Sequence, residues 1–376
     1  MSRIAIAIQN DDLHTGIGQY IANVFPALSE DGHDVVAVAH KKRELSLPLP
    51  LVRSKLSYRL VYDNALFGSL CPFSYEKLVG VGTCDLAIFP DNRMPAVRVG
   101  CPTMAVIHDL MPLRLTDFMR AEGHGAHWFR TYRRRYRRIA ERADCICAVS
   151  DYTRQDIIGE FGVDPDRVAV VSPGVDYEKF AVGDAERDAE ARKRLNLPER
   201  YLLYFGNMCA YKNLSGLIRA YARLPRRIVD EIPLVVSCRP NENAILAQSL
   251  GVGDRVRFLG GVQEADKPSV FRLATAFGFL SYFEGFGIPV VEAMATGVPC
   301  VVSNRASLPE VVGEAGLVVP PDDEIKAAVA LETALTDAAE RERMIAAGRA
   351  RAAQYAWRRS ADKMKALVAR MLNEKI

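Results

Sequence analysis

A chain of 376 residues has room for two or three domains, each with its own core. Its make-up, 49% hydrophobic and 25% charged, is that of a globular protein, and a net charge of +3 is too small to argue for a nucleic-acid partner. No apolar run reaches membrane-span length, and the N-terminus passes straight into a strand pattern without a signal peptide, so the expected location is the cytoplasm.

Residues 3–8 read as a first strand. A glycine loop, His14-Thr15-Gly16-Ile17-Gly18, follows it, then a helix from about Gln19 to Leu28 with Tyr20, Ile21, Val24, Phe25 and Leu28 at helical spacing. Strand, glycine loop and helix open a doubly wound sheet. A dinucleotide fingerprint needs a third glycine at position 21, which is Ile21, so a nicotinamide oxidoreductase is disfavoured. Further strands are expected over 35–38, 86–89, 104–107 and 145–149. Ligands of such sheets bind beyond the carboxyl ends of the strands, which is where His108 and the loop Pro90-Asp91-Asn92-Arg93 fall. Asn92 is a candidate acceptor contact, and Asp109 reads as a cap for the loop after His108.

Residues 127–142, HWFRTYRRRYRRIAER, predict a basic helix with Trp128, Tyr132, Tyr136 and Ile139 along one stripe. The plain reading is a surface helix packed on the sheet. The alternative is a face toward anionic lipid or a lipid diphosphate, with Arg133, Arg134 and Arg137 as contacts. No reader motif for nucleic acid accompanies it. Asp164-Pro165-Asp166 reads as a turn, not a metal site, and nothing else shows metal-ligand spacing. The eight cysteines contain no CxxC pair, and several sit inside apolar strand-like runs, which reads as reduced core residues, not disulfides or zinc ligands. Residues 178–199, charged and alanine-rich, read as the linker and the entry to the second domain. Strands over 201–205, 234–237, 256–258 and 276–280 then alternate with helices, the pattern of a second parallel sheet.

The most informative stretch is 275–297, TAFGFLSYFEGFGIPVVEAMATG. A short apolar run ends at Ser281, a turn carries Glu284-Gly285-Phe286-Gly287, and Pro289 opens a helix that holds Glu292. Glycines let backbone N–H groups approach a ligand at the positive end of the helix dipole, which suits phosphate. Two carboxylates there suit a ligand that also offers hydroxyl groups. A nucleoside diphosphate sugar presents both.

This stretch, with 303–321 (SNRASLPEVVGEAGLVVPP), closely resembles the signature of retaining GT-B glycosyltransferases of family 4, two glutamates separated by seven residues. The resemblance covers nearly all of the chain and is strongest over 201–320. It implies two doubly wound, Rossmann-like α/β domains: 1–177 on the acceptor side, 178–355 for the nucleotide sugar, and a C-terminal helix, 356–376, returning to the first. It implies metal-independent, retaining transfer of a hexose, mannose slightly favoured, from GDP-mannose or a UDP-sugar to a glycan or lipid-linked acceptor, with no cofactor. It implies His108, Glu284 and Lys212 as catalytic residues. The donor would also meet Gly16, Gly18, Asn207, Gly285, Phe286, Gly287, Glu292 and Ser303. Glu292 would hold the ribose and Glu284 the transferred sugar, and Lys212 the diphosphate. The family's usual arginine beside that lysine is replaced, with Asn207 and Tyr211 in its places. A sugar-nucleotide epimerase and a non-catalytic sugar-nucleotide-binding protein remain as alternatives, and the inner face of the membrane as an alternative location.

Overall fold

The computed structural model describes residues 1–8, 15–40, 47–54, 61–62 and 70–373. Contacts divide the described residues into two units, Met1–Pro173 together with the chain from Trp357 onward, and Gly174–Ala356. His14, the first residue of the predicted glycine loop, lies outside the described residues, as do 374–376 of the last helix.

The first unit is built on a seven-stranded parallel sheet of β1 (Arg3–Ala7), β2 (Asp34–His40), β3 (Leu51–Ser54), β4 (Leu86–Phe89), β5 (Thr103–Ile107), β6 (Cys145–Ala148) and β7 (Val168–Val170). Their order is β3-β2-β1-β4-β5-β6-β7, so the winding reverses between β1 and β4. All four residues of β4 and all five of β5 are buried, as expected for strands covered on both faces. The sequence pattern gives no hint of β3, because Pro48 and Pro50 precede it. Pro50 nonetheless supplies a carbonyl to the Ala37 N–H at 2.8 Å, and β3 pairs only with β2, at the edge, where proline is tolerated.

The second unit has a six-stranded parallel sheet of β8 (Leu202–Tyr204), β9 (Leu234–Val236), β10 (Val256–Phe258), β11 (Ala276–Phe279), β12 (Cys300–Ser303) and β13 (Gly316–Val319). Their order is β10-β9-β8-β11-β12-β13, and the reversal falls between β8 and β11. Each unit is therefore doubly wound, with its ligand crevice expected beyond the strands at the reversal.

Among the described helices, those used below are α1 (Gly16–Val24), α2 (Ala126–Arg142), α3 (Asp151–Phe161), α4 (Leu214–Ala222), α5 (Lys267–Arg272), α6 (Ile288–Thr296), α7 (Leu308–Val312) and α8 (Trp357–Asn373). Within the first unit α8 packs on α1, and Lys365 pairs with Glu30 at 2.8 Å and Asp31 at 3.2 Å.

Two expectations are corrected. The first helix starts at Gly16, not near Gln19, because the Thr15 side chain accepts from the Gly18 N–H at 3.1 Å and caps it there. It ends at Val24, and a 3-10 helix begins at Pro26, whose ring cannot continue the α-helix. Residues 178–199 are not a free linker. They form helices Tyr177–Ala181 and Ala185–Arg194, capped by Asp176 and Asp184. Arg272 of α5 grips Asp188 through two bonds of 2.8 and 3.0 Å, folding this segment onto the second unit.

Candidate functional site

In the second unit the loops after β8 and β11, the two strands at the reversal, are stitched to each other. The Tyr282 N–H donates to the Tyr211 carbonyl at 2.8 Å. Asn213, in the left-handed region at φ 53°, donates from its Nδ2 to the carbonyls of Leu280 and Pro321, both at 3.0 Å. Its Oδ1 accepts from the Gly216 N–H at 3.1 Å and caps α4. Asn213 is thus the peg that fixes its neighbour Lys212.

So held, Lys212 Nζ donates to both oxygens of Glu284, at 2.7 and 2.8 Å. Both side chains are largely buried, 15% and 10% exposed. The turn that carries Glu284 is fixed from the other side. Ser307 Oγ, fully buried, lies 2.8 Å from the Glu284 carbonyl and 2.9 Å from that of Phe286. Gly287 caps α6 with φ 102°, and a Cβ there would meet Leu308 Cδ2 at 2.7 Å, so only glycine fits. The helix begins at Ile288, one residue before Pro289, and Gly287 brings no side chain to its N-terminus. The first-turn N–H groups and the dipole there are suited to an anion.

Glu292 lies in α6 and is 3% exposed. Its Oε1 pairs with Lys267 Nζ of α5 at 2.6 Å, and Lys267 is itself buried. Glu292 Oε2 is buried with no hydrogen-bond partner among the described residues. Burial pushes the Glu292 carboxyl up and the Lys267 charge opposes that shift. Lys267 is the residue that sequence reasoning missed. It sits in α5 beside the Phe205 ring, 25 positions before its partner, and only its place in a buried run (Lys267 to Phe271) marks it. Each signature glutamate therefore has its own lysine, which answers how two carboxylates stand near a helix N-terminus built for an anion.

Other expected donor contacts take supporting places. Ser303 is fully buried, and its hydroxyl donates to the Ser281 carbonyl at 2.5 Å, tying β12 to the turn. Phe286 is 4% exposed and packs edge-on against Tyr355, which leaves its backbone as the usable part. Asn207 is exposed, and its Oδ1 accepts from the Cys209 N–H at 3.2 Å to shape the loop after β8.

In the first unit His108 is buried at the end of β5. Its ring Nε2 lies 2.7 Å from the Pro90 carbonyl, so Nε2 carries the proton and Nδ1 keeps its lone pair. Burial lowers its pKa to about 4, so it is neutral near pH 7. Asn92, at φ 57°, accepts from the His108 N–H at 2.7 Å and so positions the histidine, a role its loop placement alone did not give. Asp109 accepts from the Met111 N–H at 3.0 Å and caps the next turn, as expected. Gly16 and Gly18 lie in the first turn of α1, not in a loop.

The basic stretch is helix α2, with Tyr136 and Ile139 buried. Arg133 pairs with Glu160 of α3 at 2.7 Å, while Arg134 and Arg137 are exposed and pair with no described residue. No described helix is long and apolar enough to cross a membrane.

The family described as Glycosyl transferases group 1 matches residues 186–351, and Glycosyltransferase Family 4 matches 14–179. Together they take in the whole second sheet and every strand of the first but β1, and the chain belongs to this glycosyltransferase family, with the GT-B fold of two Rossmann-like domains. Over 219 residues it is 37% identical to the O-antigen chain mannosyltransferase B of Escherichia coli, covering 57% of this chain and 58% of that protein. It is 30% identical over 241 residues to a D-inositol 3-phosphate glycosyltransferase of Corynebacterium diphtheriae, covering 61% and 56%. The chain thus spans little more than half the length of these relatives. Sucrose-phosphate synthase from Thermosynechococcus elongatus has the same fold, with TM-score 0.78, 21% identity and full coverage of both chains.

Removing Lys267 alone strands a buried carboxylate. Lys267→Met is expected to cost about 3–5 kcal/mol near neutral pH. Glu292 then keeps a folded-state pKa above its unfolded value, so the deficit is present above the folded pKa and shrinks as pH falls through it. Urea unfolding in mildly acidic and mildly alkaline buffer measures this. Lys267→Met with Glu292→Leu should regain most of the loss, and an equal deficit at both pH values would contradict the pairing.

Proposed function

We propose that this chain transfers a hexose, mannose first among the options, from a nucleoside diphosphate sugar to a glycan or lipid-linked acceptor. In this reading the anomeric configuration is retained and the transfer step needs no metal ion. The observation that carries the proposal is the pair of buried lysine–carboxylate contacts on either side of one helix start, Lys212–Glu284 in the turn before it and Lys267–Glu292 within the helix. Mannose rests on the name of the 37% identical Escherichia coli relative, while the inositol phosphate relative keeps the acceptor class open.

The residues divide the work by chemistry. An ammonium has three donor hydrogens, and Glu284 takes two from Lys212, leaving one for a phosphate oxygen. That donor and the N–H groups of Gly285, Phe286 and Gly287 stabilise charge that grows on the leaving diphosphate. Preorganised donors of this kind contribute about 3 kcal/mol each. Glu284 accepts from hydroxyls of the transferred sugar and Glu292 from those of the ribose. Because Glu292 Oε2 is closed off from solvent, a ligand hydroxyl reaches it only when neighbouring side chains move. Within the first unit, His108 is neutral and its Nδ1 is a hydroxyl acceptor, and the first turn of α1 carries Gly16 and Gly18. With no covalent nucleophile assigned, the acceptor attacks from the face the diphosphate leaves. The protein works in the cytoplasm, and the exposed Arg134 and Arg137 of α2 give it a contact with anionic lipid at the membrane's inner face.

A thermal-shift panel of GDP-, UDP-, ADP- and dTDP-sugars tests the donor. One class should stabilise the chain, by about 2.7 kcal/mol at a hundredfold excess over Kd. With that donor, acceptor-dependent release of the diphosphate should fall roughly a hundredfold in Glu284→Gln, a loss of the size seen when one such polar group is removed. No response to any donor, or a sugar isomer formed without transfer, would overturn the reading. For the membrane contact, sedimentation with phosphatidylglycerol vesicles should be lost in Arg134→Glu/Arg137→Glu; undiminished sedimentation would exclude α2 as the face.

A further inference from the structure

Three potential metal ligands converge in the first unit, away from the residues assigned above. Glu76 belongs to the short helix Tyr75–Val79, Cys84 precedes β4, and Cys101 precedes β5. One ligand atom from each lies within 4.8 Å of the others. Cys84 Sγ is 3.1 Å from Cys101 Sγ, and Cys101 Sγ is 3.4 Å from Glu76 Oε1. No motif marks this cluster, since the ligands are 8 and 17 positions apart and no CxxC pair is present. Cys84 and Cys101 are half-buried, whereas Cys145, Cys147 and Cys300 are buried in or beside strands, as core residues are.

Glu76 decides what such a cluster is for. It is 4% exposed, and no described lysine, arginine or histidine forms an ion pair with it. Its Oε1 accepts from the Gly100 N–H at 2.7 Å, and its Oε2 is buried with no hydrogen-bond partner among the described residues. Hydrogen bonds from Ser74, its own backbone N–H, the Gly100 N–H and the Cys101 thiol support the carboxylate. A dication would take the place of the thiol proton on that side, whereas a disulfide would leave the Cys101 side of the carboxylate without a donor. The spacings also suit a cation. Around a tetrahedral zinc with Zn–S about 2.3 Å and Zn–O about 2.0 Å, a sulfur and an oxygen lie roughly 3.5 Å apart and two sulfurs roughly 3.8 Å. The oxygen–sulfur distance already agrees, and the two sulfurs need to separate by a fraction of an ångström. Glu76, Cys84 and Gly100 line a surface groove with Ser74, Thr83 and Arg98, which gives an ion a way in.

We propose that Glu76, Cys84 and Cys101 form a binding site for a thiophilic divalent cation of the zinc class. Two thiol protons pass to solvent as the thiolates bind, and the fourth position is open to water. The site ties the turn before β4, the turn before β5 and the helix of Glu76 together, and it takes no part in sugar transfer.

The test uses the full chain, reduced and stripped of metal with a chelator, then titrated with cobalt and afterwards with zinc. One cobalt per chain should bind with a near-ultraviolet thiolate-to-cobalt band, and zinc should erase the band and raise the melting temperature. Cys101→Ser should lose the band, and Glu76→Gln should weaken zinc by roughly tenfold or more. Exposed Cys209→Ser should match the wild type. The wild-type spectrum is decisive even if a variant folds poorly. Cobalt bound without the band, a band that persists in Cys101→Ser, or a Cys84–Cys101 disulfide found by peptide mapping of the chain as isolated would each overturn the proposal.

Discussion

The second unit depends on one constraint: two buried carboxylates, one in the turn before a helix and one within it, must be held in place around a helix start that attracts anions. Left alone, the charges of Glu284 and Glu292 would repel a diphosphate and resist burial. The structure meets both difficulties with one lysine each. Lys212 faces Glu284 with two short bonds, and Lys267 holds Glu292 through one oxygen and leaves the other without a partner. The local charge comes close to balance, and the lysines, by their fixed positions, orient the carboxylates. Burial makes these contacts sensitive to the loss of one member, which is a more reliable consequence than any net stabilisation.

Much of the surrounding architecture serves that constraint. The reversal between β8 and β11 brings together the loops that carry Lys212 and Glu284. Asn213 then locks the first loop to Leu280 and Pro321, while Ser303 and Ser307 lock the second from behind. Gly287 lets α6 start where a side chain would strike Leu308. Asn213 and Ser307 hold the loops without needing to touch a ligand. In the first unit the same division appears, with Asn92 and Pro90 holding a neutral His108.

What could be read from the sequence was local. The spacing of Glu284 and Glu292 around a glycine turn, the doubly wound pattern and the basic helix all rest on neighbours within a few positions, and each is present in the structure. Lys267 was hidden because its partner lies 25 positions on and the link exists only once α5 packs against α6. The internal use of the Ser303 hydroxyl was hidden too, since its partner, the Ser281 carbonyl, lies on the neighbouring strand's turn. The stretch 178–199 looked like a linker since its charges are partnered by Arg272 and Asp266, far along the chain. The cysteine cluster was invisible for the same reason, its members meeting only through the arrangement of β4 and β5.

The central claim is that Glu292, held by Lys267, receives the ribose hydroxyls of the donor. A binding cycle tests it most directly. The preferred nucleoside diphosphate and its 2′,3′-dideoxy form are titrated calorimetrically into wild type and into Lys267→Met/Glu292→Leu, which removes both charges together. The account predicts that losing the hydroxyls costs wild type about 1.5–3 kcal/mol, as for hydrogen bonds to a charged group, and costs the double variant almost nothing. An equal loss in both proteins would contradict it, and would place the ribose elsewhere.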